Sequence, residues 1–183
     1  TTVGASLFVE STLAAGGPQQ SGTTSTLLVD QTTFRREGDN TSLQLQGATA
    51  STIVNSLFYN PVSCAGSDCI QIRLTQSPAG SCVFAYNTIV EANTFSLNAT
   101  TMKHNLFFTP GQTPYTGTFE NNFMVPLPTG LPASNITGDP QFVNAAAGDF
   151  HLMPGSPAID KGPATVPTGL PTKDLDGNAR LVG

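Results

Sequence analysis

Three groups of side chains in this chain have types and spacings that chemistry uses. Arg35-Arg36-Glu37-Gly38-Asp39 is the densest charge cluster, and Arg73 stands apart from it. Lys103-His104 precede Asn105, while Asp30 and Glu120 hold comparable places in other segments. His151 follows Asp149-Phe150, and Asp174-Leu175-Asp176-Gly177-Asn178 lies further on. Cleavage of a glycosidic bond needs two carboxylates flanking it. Elimination from a uronate needs a base, often Arg or Lys, and carboxylates that hold Ca²⁺. No Asp-Asp pair occurs before residue 140. The chain therefore shows no assembled catalytic set, and no catalytic residue is assigned. Arg35, Arg73 and Lys103 are the candidate contacts for a sugar carboxylate. Two of them also have a plainer reading: a loop for Arg35, and a solvated mixed-charge face for Lys103 with Asp30 and Glu120. His151, alone in its segment, reads as structural.

Asp174, Asp176 and Asn178 offer oxygen ligands, but the stretch departs from an EF-hand loop. Its glycine is fourth rather than sixth, and no glutamate closes it. An aspartate turn paired with Arg180 accounts for it better, so no cofactor or metal is expected, with Ca²⁺ the only candidate. Cys64 and Cys69 enclose a short loop that would close as a disulfide in an oxidising compartment, with Cys82 a competitor for Cys69. Zinc would want a fourth ligand and tighter spacing.

These residues need a scaffold, and composition restricts its kind. The chain has 183 residues, enough for one domain with a real core. Charged residues are 10% and hydrophobic ones 38%, a combination that argues against disorder. A net charge of −5 with seven basic residues disfavours nucleic acid. No apolar run reaches the ~18 residues of a membrane span. No signal peptide opens the chain, so a mature product or a fragment is expected.

Short segments rich in β-branched and aromatic residues follow one another, bounded by Gly, Pro, Asn and Ser. Before residue 140 none has helical periodicity, so the chain reads as all-β. An apolar residue, a small polar residue three later and an apolar residue two further recur. Examples are Val29-Thr32-Phe34, Phe84-Asn87-Ile89, Met102-Asn105-Phe107 and Phe119-Asn122-Met124, with Ile53-Asn55-Leu57 as a shifted copy. Alternating pairs such as Leu43-x-Leu45, Ile70-x-Ile72 and Phe95-x-Leu97 add a second strand. Units of roughly 20 residues cannot bury a face alone, but stacked units can. The expected fold is a right-handed parallel β-helix over residues 1–125 with an irregular C-terminal cap, 126–183, of the same domain. Asn55, Asn87, Asn105 and Asn122 would stack as a structural ladder, with Phe34, Leu57, Ile89, Phe107 and Met124 inside.

The C-terminal third carries Asp139-Pro140-x-Phe142-Val143, Gly148-Asp149-Phe150-His151-Leu152, Gly155-Ser156-Pro157-Ala158-Ile159-Asp160 and Asp174-Leu175-Asp176-Gly177-x-x-Arg180. In that order these pieces resemble the end of bacterial right-handed parallel β-helix proteins of the pectin-lyase-like, choice-of-anchor type. The resemblance implies export or a cell-surface location and says little about chemistry. Phe142, Phe150, Leu152 and Ile159 would cover the last coil, and Ser156 would cap a helical turn begun by Pro157. The first segments show no such cover, so upstream coils or a second copy are expected at that edge.

The favoured function is a non-catalytic exported module with a surface, adhesive or assembly role and potential carbohydrate contact. The alternative is a polysaccharide lyase or glycoside hydrolase, with Tyr59, Tyr86 and Tyr115 available to stack on sugars. No nucleic-acid or membrane-spanning partner is expected.

Overall fold

A computed structural model describes residues 2–4, 7–9, 13–15, 26–35, 42–46, 50–59, 70–75, 81–97, 100–109 and 118–180. Side chains are placed for residues 28–35, 51–59, 82–91, 102–109 and 118–180. Cys64, Cys69 and Tyr115 lie outside the described residues. Arg73 lies on a described strand, but its side chain is among those not described.

The protein is all-β, and its three large sheets are parallel. The first holds Thr2–Gly4, Thr26–Asp30, Ala50–Val54, Ser81–Ala85, Thr100–Lys103 and Thr118–Glu120, in chain order across the sheet. The second holds Leu7–Val9, Thr33–Arg35, Leu57–Tyr59, Thr88–Val90, Leu106–Phe108 and Phe123–Val125. The third holds Leu13–Ala15, Ser42–Gln46, Ile70–Thr75 and Ala92–Leu97. Each pass of the chain thus gives one strand to the first sheet, one to the second and, in four passes, one to the third. Among the described residues no helix is long and apolar enough to cross a membrane.

The recurrent spacing has a physical reason. Val29 faces the core at the end of a first-sheet strand, and Phe34 faces it from the second sheet. Between them Gln31 takes φ 48°, turning the chain sharply. Asn55, Tyr86, His104 and Asn121 do the same in later passes, with φ between 50° and 58°. A left-handed residue costs about 1–2 kcal/mol when it carries a side chain. The polar residue that follows each bend offsets that cost through the hydrogen bonds described below.

Register sets the core. Val29, Ile53, Phe84, Met102 and Phe119 are cross-strand partners in the first sheet, all fully or almost fully buried. Phe34, Phe58, Ile89, Phe107 and Met124 are partners in the second. Phe34 and Phe58 stack with centroids 4.7 Å apart. The inward residue in the second of these passes is Phe58, not Leu57. Leu57 and Tyr59 belong to the opposite face of the sheet, yet both are buried.

What buries them is the C-terminal segment. After Phe123–Val125 the chain adds one more rung, where Ile136 bridges Phe123 in parallel. It then returns as an antiparallel pair, Phe142–Asn144 with Asp149–Leu152, joined by the 3₁₀ turn Ala145–Ala147. Phe142, Phe150 and Leu175 pack on Leu57, Tyr59 and Val90 with Phe108. The segment therefore lies as a strap along the outer face of the second sheet. The sequence expectation put Phe142, Phe150, Leu152 and Ile159 over the last coil. Phe142 and Phe150 instead cover the flank, and Ile159 is exposed. Residues 157–160 form a turn in which the Ser156 hydroxyl accepts the Ala158 amide and donates to the Pro140 carbonyl.

Candidate functional site

Two features of the described surface carry polar groups in an ordered way: the corner between the first and second sheets, and a cleft under the strap.

The corner is a column of buried polar residues, Thr32, Ser56, Asn87, Asn105, Asn122 and Asn135. Each side-chain oxygen from Ser56 onward accepts the backbone N–H of the residue before it in the column, over intervals of 24, 31, 18, 17 and 13 residues. The Asn87, Asn105, Asn122 and Asn135 amides donate in turn to the carbonyls of Ile53, Phe84, Met102 and Phe119. Both ends of each asparagine amide are used, which is what a buried amide requires. Asn55 stands outside this column, and Ser56 fills its place. Asn55 occupies the left-handed bend itself, which asparagine tolerates well. Its side chain points away from the core, donating to the Lys173 carbonyl and accepting from Arg180.

Asn135 begins an Asn-x-Thr triplet, Asn135-Ile136-Thr137, of the kind that accepts N-linked glycans. Its burial and its amide bonds to Phe119 and Asn122 leave no room for a glycan. Pro132 and Thr137 hold the places where the pattern wants apolar residues, which hid the last rung.

The bend residues stack outside the column. Tyr86 and His104 rings are 5.3 Å apart, and the Arg180 guanidinium lies 3.9 Å above the Tyr86 ring. Arg180 also donates to Asn55 and to the carbonyls of Pro171 and Lys173. Burial lowers the His104 pKa, helped by the nearby Lys103 and Arg180 charges. Burial likewise raises that of Tyr86.

The cleft, about 840 Å³, opens between the strap and the second sheet. Thr33, Leu57, Tyr59 and Thr88 come from the sheet side, and Gly148–His151 and Asp174–Asp176 from the strap. Gly148 has φ 80°, and a side chain there would meet the Tyr59 hydroxyl at 3.1 Å. His151 sits between two carboxylates: Nδ1 is 2.5 Å from Asp149 Oδ1, and Nε2 is 2.9 Å from Asp176 Oδ2. Those hydrogen bonds raise the His151 pKa, and the same contact lowers that of Asp149. Asp174 Oδ1 accepts the amides of Asp176 and Asn178, so this carboxylate closes a turn. The carboxylates of Asp174 and Asp176 are thus directed to the turn and to His151, and the Asn178 side-chain nitrogen donates to Asp174 Oδ2. Among the described residues no three His, Cys, Asp or Glu side chains converge on a metal position.

Arg35, Arg73 and Lys103 belong to the second, third and first sheets respectively. Neither Arg35 nor Lys103 lines the cleft. Lys103 is the cross-strand partner of Glu120, at the register position that Asp30 holds on the strand Thr26–Asp30. Cys82 is buried on its strand. No protein-family model, curated protein or solved structure matches the chain.

Proposed function

We propose that this chain is an exported, cell-surface or secreted module built as a right-handed parallel β-helix. It binds a neutral or amino-sugar glycan in the cleft under the C-terminal strap and does no chemistry on it. The interleaved strand order supports the β-helix, because each sheet receives one strand per pass. Right-handedness is the general rule for parallel crossovers.

The observation that carries the functional reading is the state of the cleft's charges. Asp149, Asp174, Asp176, His151 and Arg180 line it, and each is held by a partner within the chain. Groups so engaged position a wall; they are not poised to attack a bond. Three carboxylates against one arginine and one histidine also disfavour a polyuronate. Tyr59 and Tyr86 supply the rings at the floor and corner. The outermost strands of the three sheets, Thr2–Gly4, Leu7–Val9 and Leu13–Ala15, are a suitable edge for further β structure, from upstream coils or a second copy.

The test is titration of the protein with neutral, amino-sugar and uronate oligosaccharides, followed by NMR shifts of residues 147–151 and 174–178. Saturable shifts with the first two classes, and no new reducing ends or unsaturated products, support the reading. Binding of none of them removes it. A hydrolase or lyase is the second reading. The specific observation in its favour is His151, a surface imidazole bracketed by carboxylates on a cleft rim. Product release that disappears in His151→Gln would establish that alternative.

A further inference from the structure

The His151 side chain joins two arms of the strap across the cleft rim. Asp149 lies on its own strand, and Asp176 lies on the turn Asp174–Asn178. An ionised carboxylate can only accept hydrogen bonds, so an imidazole with one on each nitrogen must donate from both. The neutral ring has a single N–H. Its other nitrogen would turn a lone pair toward a carboxylate. Both contacts together therefore require the imidazolium.

We propose that Asp149–His151–Asp176 is a pH-responsive clasp on the cleft rim, closed while the imidazole carries both protons and released on the Asp176 side when it loses one. The inference holds whatever ligand the cleft takes. Asp149 keeps its bond on deprotonation because it is the closer partner and also accepts the His151 backbone amide. Asp176 contributes through Oδ2, and its turn is closed internally by Asp174. The turn thus loses its link to the strand without losing its own shape.

A second attachment does not titrate in this range. Arg180 holds the end of the same segment to Asn55 and Tyr86, and arginine stays charged. Lys173 and Ala179 form a bridge at the base of the turn. Release at His151 would therefore loosen the outer part of the turn around Asp176, between the Lys173–Ala179 bridge and the anchors at its base, where Leu175 stays packed on Leu57, Tyr59 and Val90 and Gln31 donates to the Asp174 carbonyl. The other ionisable groups lining the cleft are Asp174, Arg180, Tyr59 and Tyr86. None of them contacts His151 directly in the way that Asp149 and Asp176 do.

The direction follows from linkage. The pKa of His151 is raised in the folded protein. The stabilisation is complete below the ordinary histidine value of ~6.5 and is lost as pH rises through the raised value. The side chains are exposed, so solvent screening keeps the effect small.

NMR of the whole chain tests this. Ring ¹⁵N shifts should show His151 doubly protonated at pH 6.5. Amides 174–178 should be as rigid as 149–152 at that pH. Above the His151 pKa their open population should rise roughly 1.5- to fivefold, the scale of one exposed ion pair. His151→Gln should be mobile across the whole range. A singly protonated His151 ring at pH 6.5 would overturn the clasp. So would turn dynamics that stay the same across pH in both proteins.

Discussion

The guanidinium of Arg180 sits over the ring of Tyr86, 3.9 Å from its centroid, while its outer nitrogen donates to Asn55. One residue near the end of the described chain thereby grips two bends of the corner. A stacked guanidinium is worth about 0.5–2 kcal/mol, more as it is desolvated. Arg180→Ala should detach residues 171–180 while the three sheets stay folded. Faster proteolysis after Lys173, with an unchanged β-sheet spectrum, is the expected result. Arg180→Lys should restore little, because an ammonium cannot stack and fork at once.

The corner column makes a different prediction. Asn105 accepts the Asn87 amide and donates to the Phe84 carbonyl. Asn105→Leu leaves both groups buried and unpaired, at about 1–3 kcal/mol each. A clear drop in the denaturation midpoint is expected. Asn55→Gly is the contrast: glycine tolerates the left-handed bend, and Asn55 is not in the column. It should loosen the strap but shift the midpoint much less. Equal losses in the two variants would show that the column is not the stabilising element.

This contrast also shows what was legible in the sequence. The spacing of apolar, small polar and apolar residues carried the strand order and the inward faces, because a left-handed bend fixes that spacing. With Asn55 as the anchor, the pattern slips by one residue after Ile53. Read with Ser56 as anchor, Ile53-Ser56-Phe58 matches the other copies. The cleft was not legible. Its walls depend on contacts such as Arg180 with Asn55, 125 residues apart, and on a strap that returns along the flank. His151 read as structural because nothing local reveals that Asp176 reaches it.

The two histidines should titrate in opposite directions. Burial lowers the His104 pKa, so the unfolded chain binds a proton there that the folded chain does not. Its contribution is destabilising as pH falls below ~6.5. His104→Asn tolerates the bend at φ 58° and cannot titrate. That variant should lose part of the acid sensitivity expected in melts as pH falls below ~6.5. An identical pH dependence in the two proteins would remove His104 from the account.

Gly148 offers the last test, because two separate costs meet there. Its φ of 80° strains any residue with a side chain, and a Cβ would come within 3.1 Å of the Tyr59 hydroxyl and 3.4 Å of its ring. Gly148→Ala should therefore cost about 1–2 kcal/mol for the backbone, plus whatever displacement of Tyr59 requires. Tyr59→Phe removes the closest atom but leaves the ring. In a double-mutant cycle the two changes should couple favourably: the double variant should be more stable than the sum of the single losses implies, because the alanine no longer meets the hydroxyl. The backbone part should persist in both backgrounds. Strict additivity would mean that Tyr59 can swing aside at no cost, and that strand Asp149–Leu152 is not packed against the floor of the cleft.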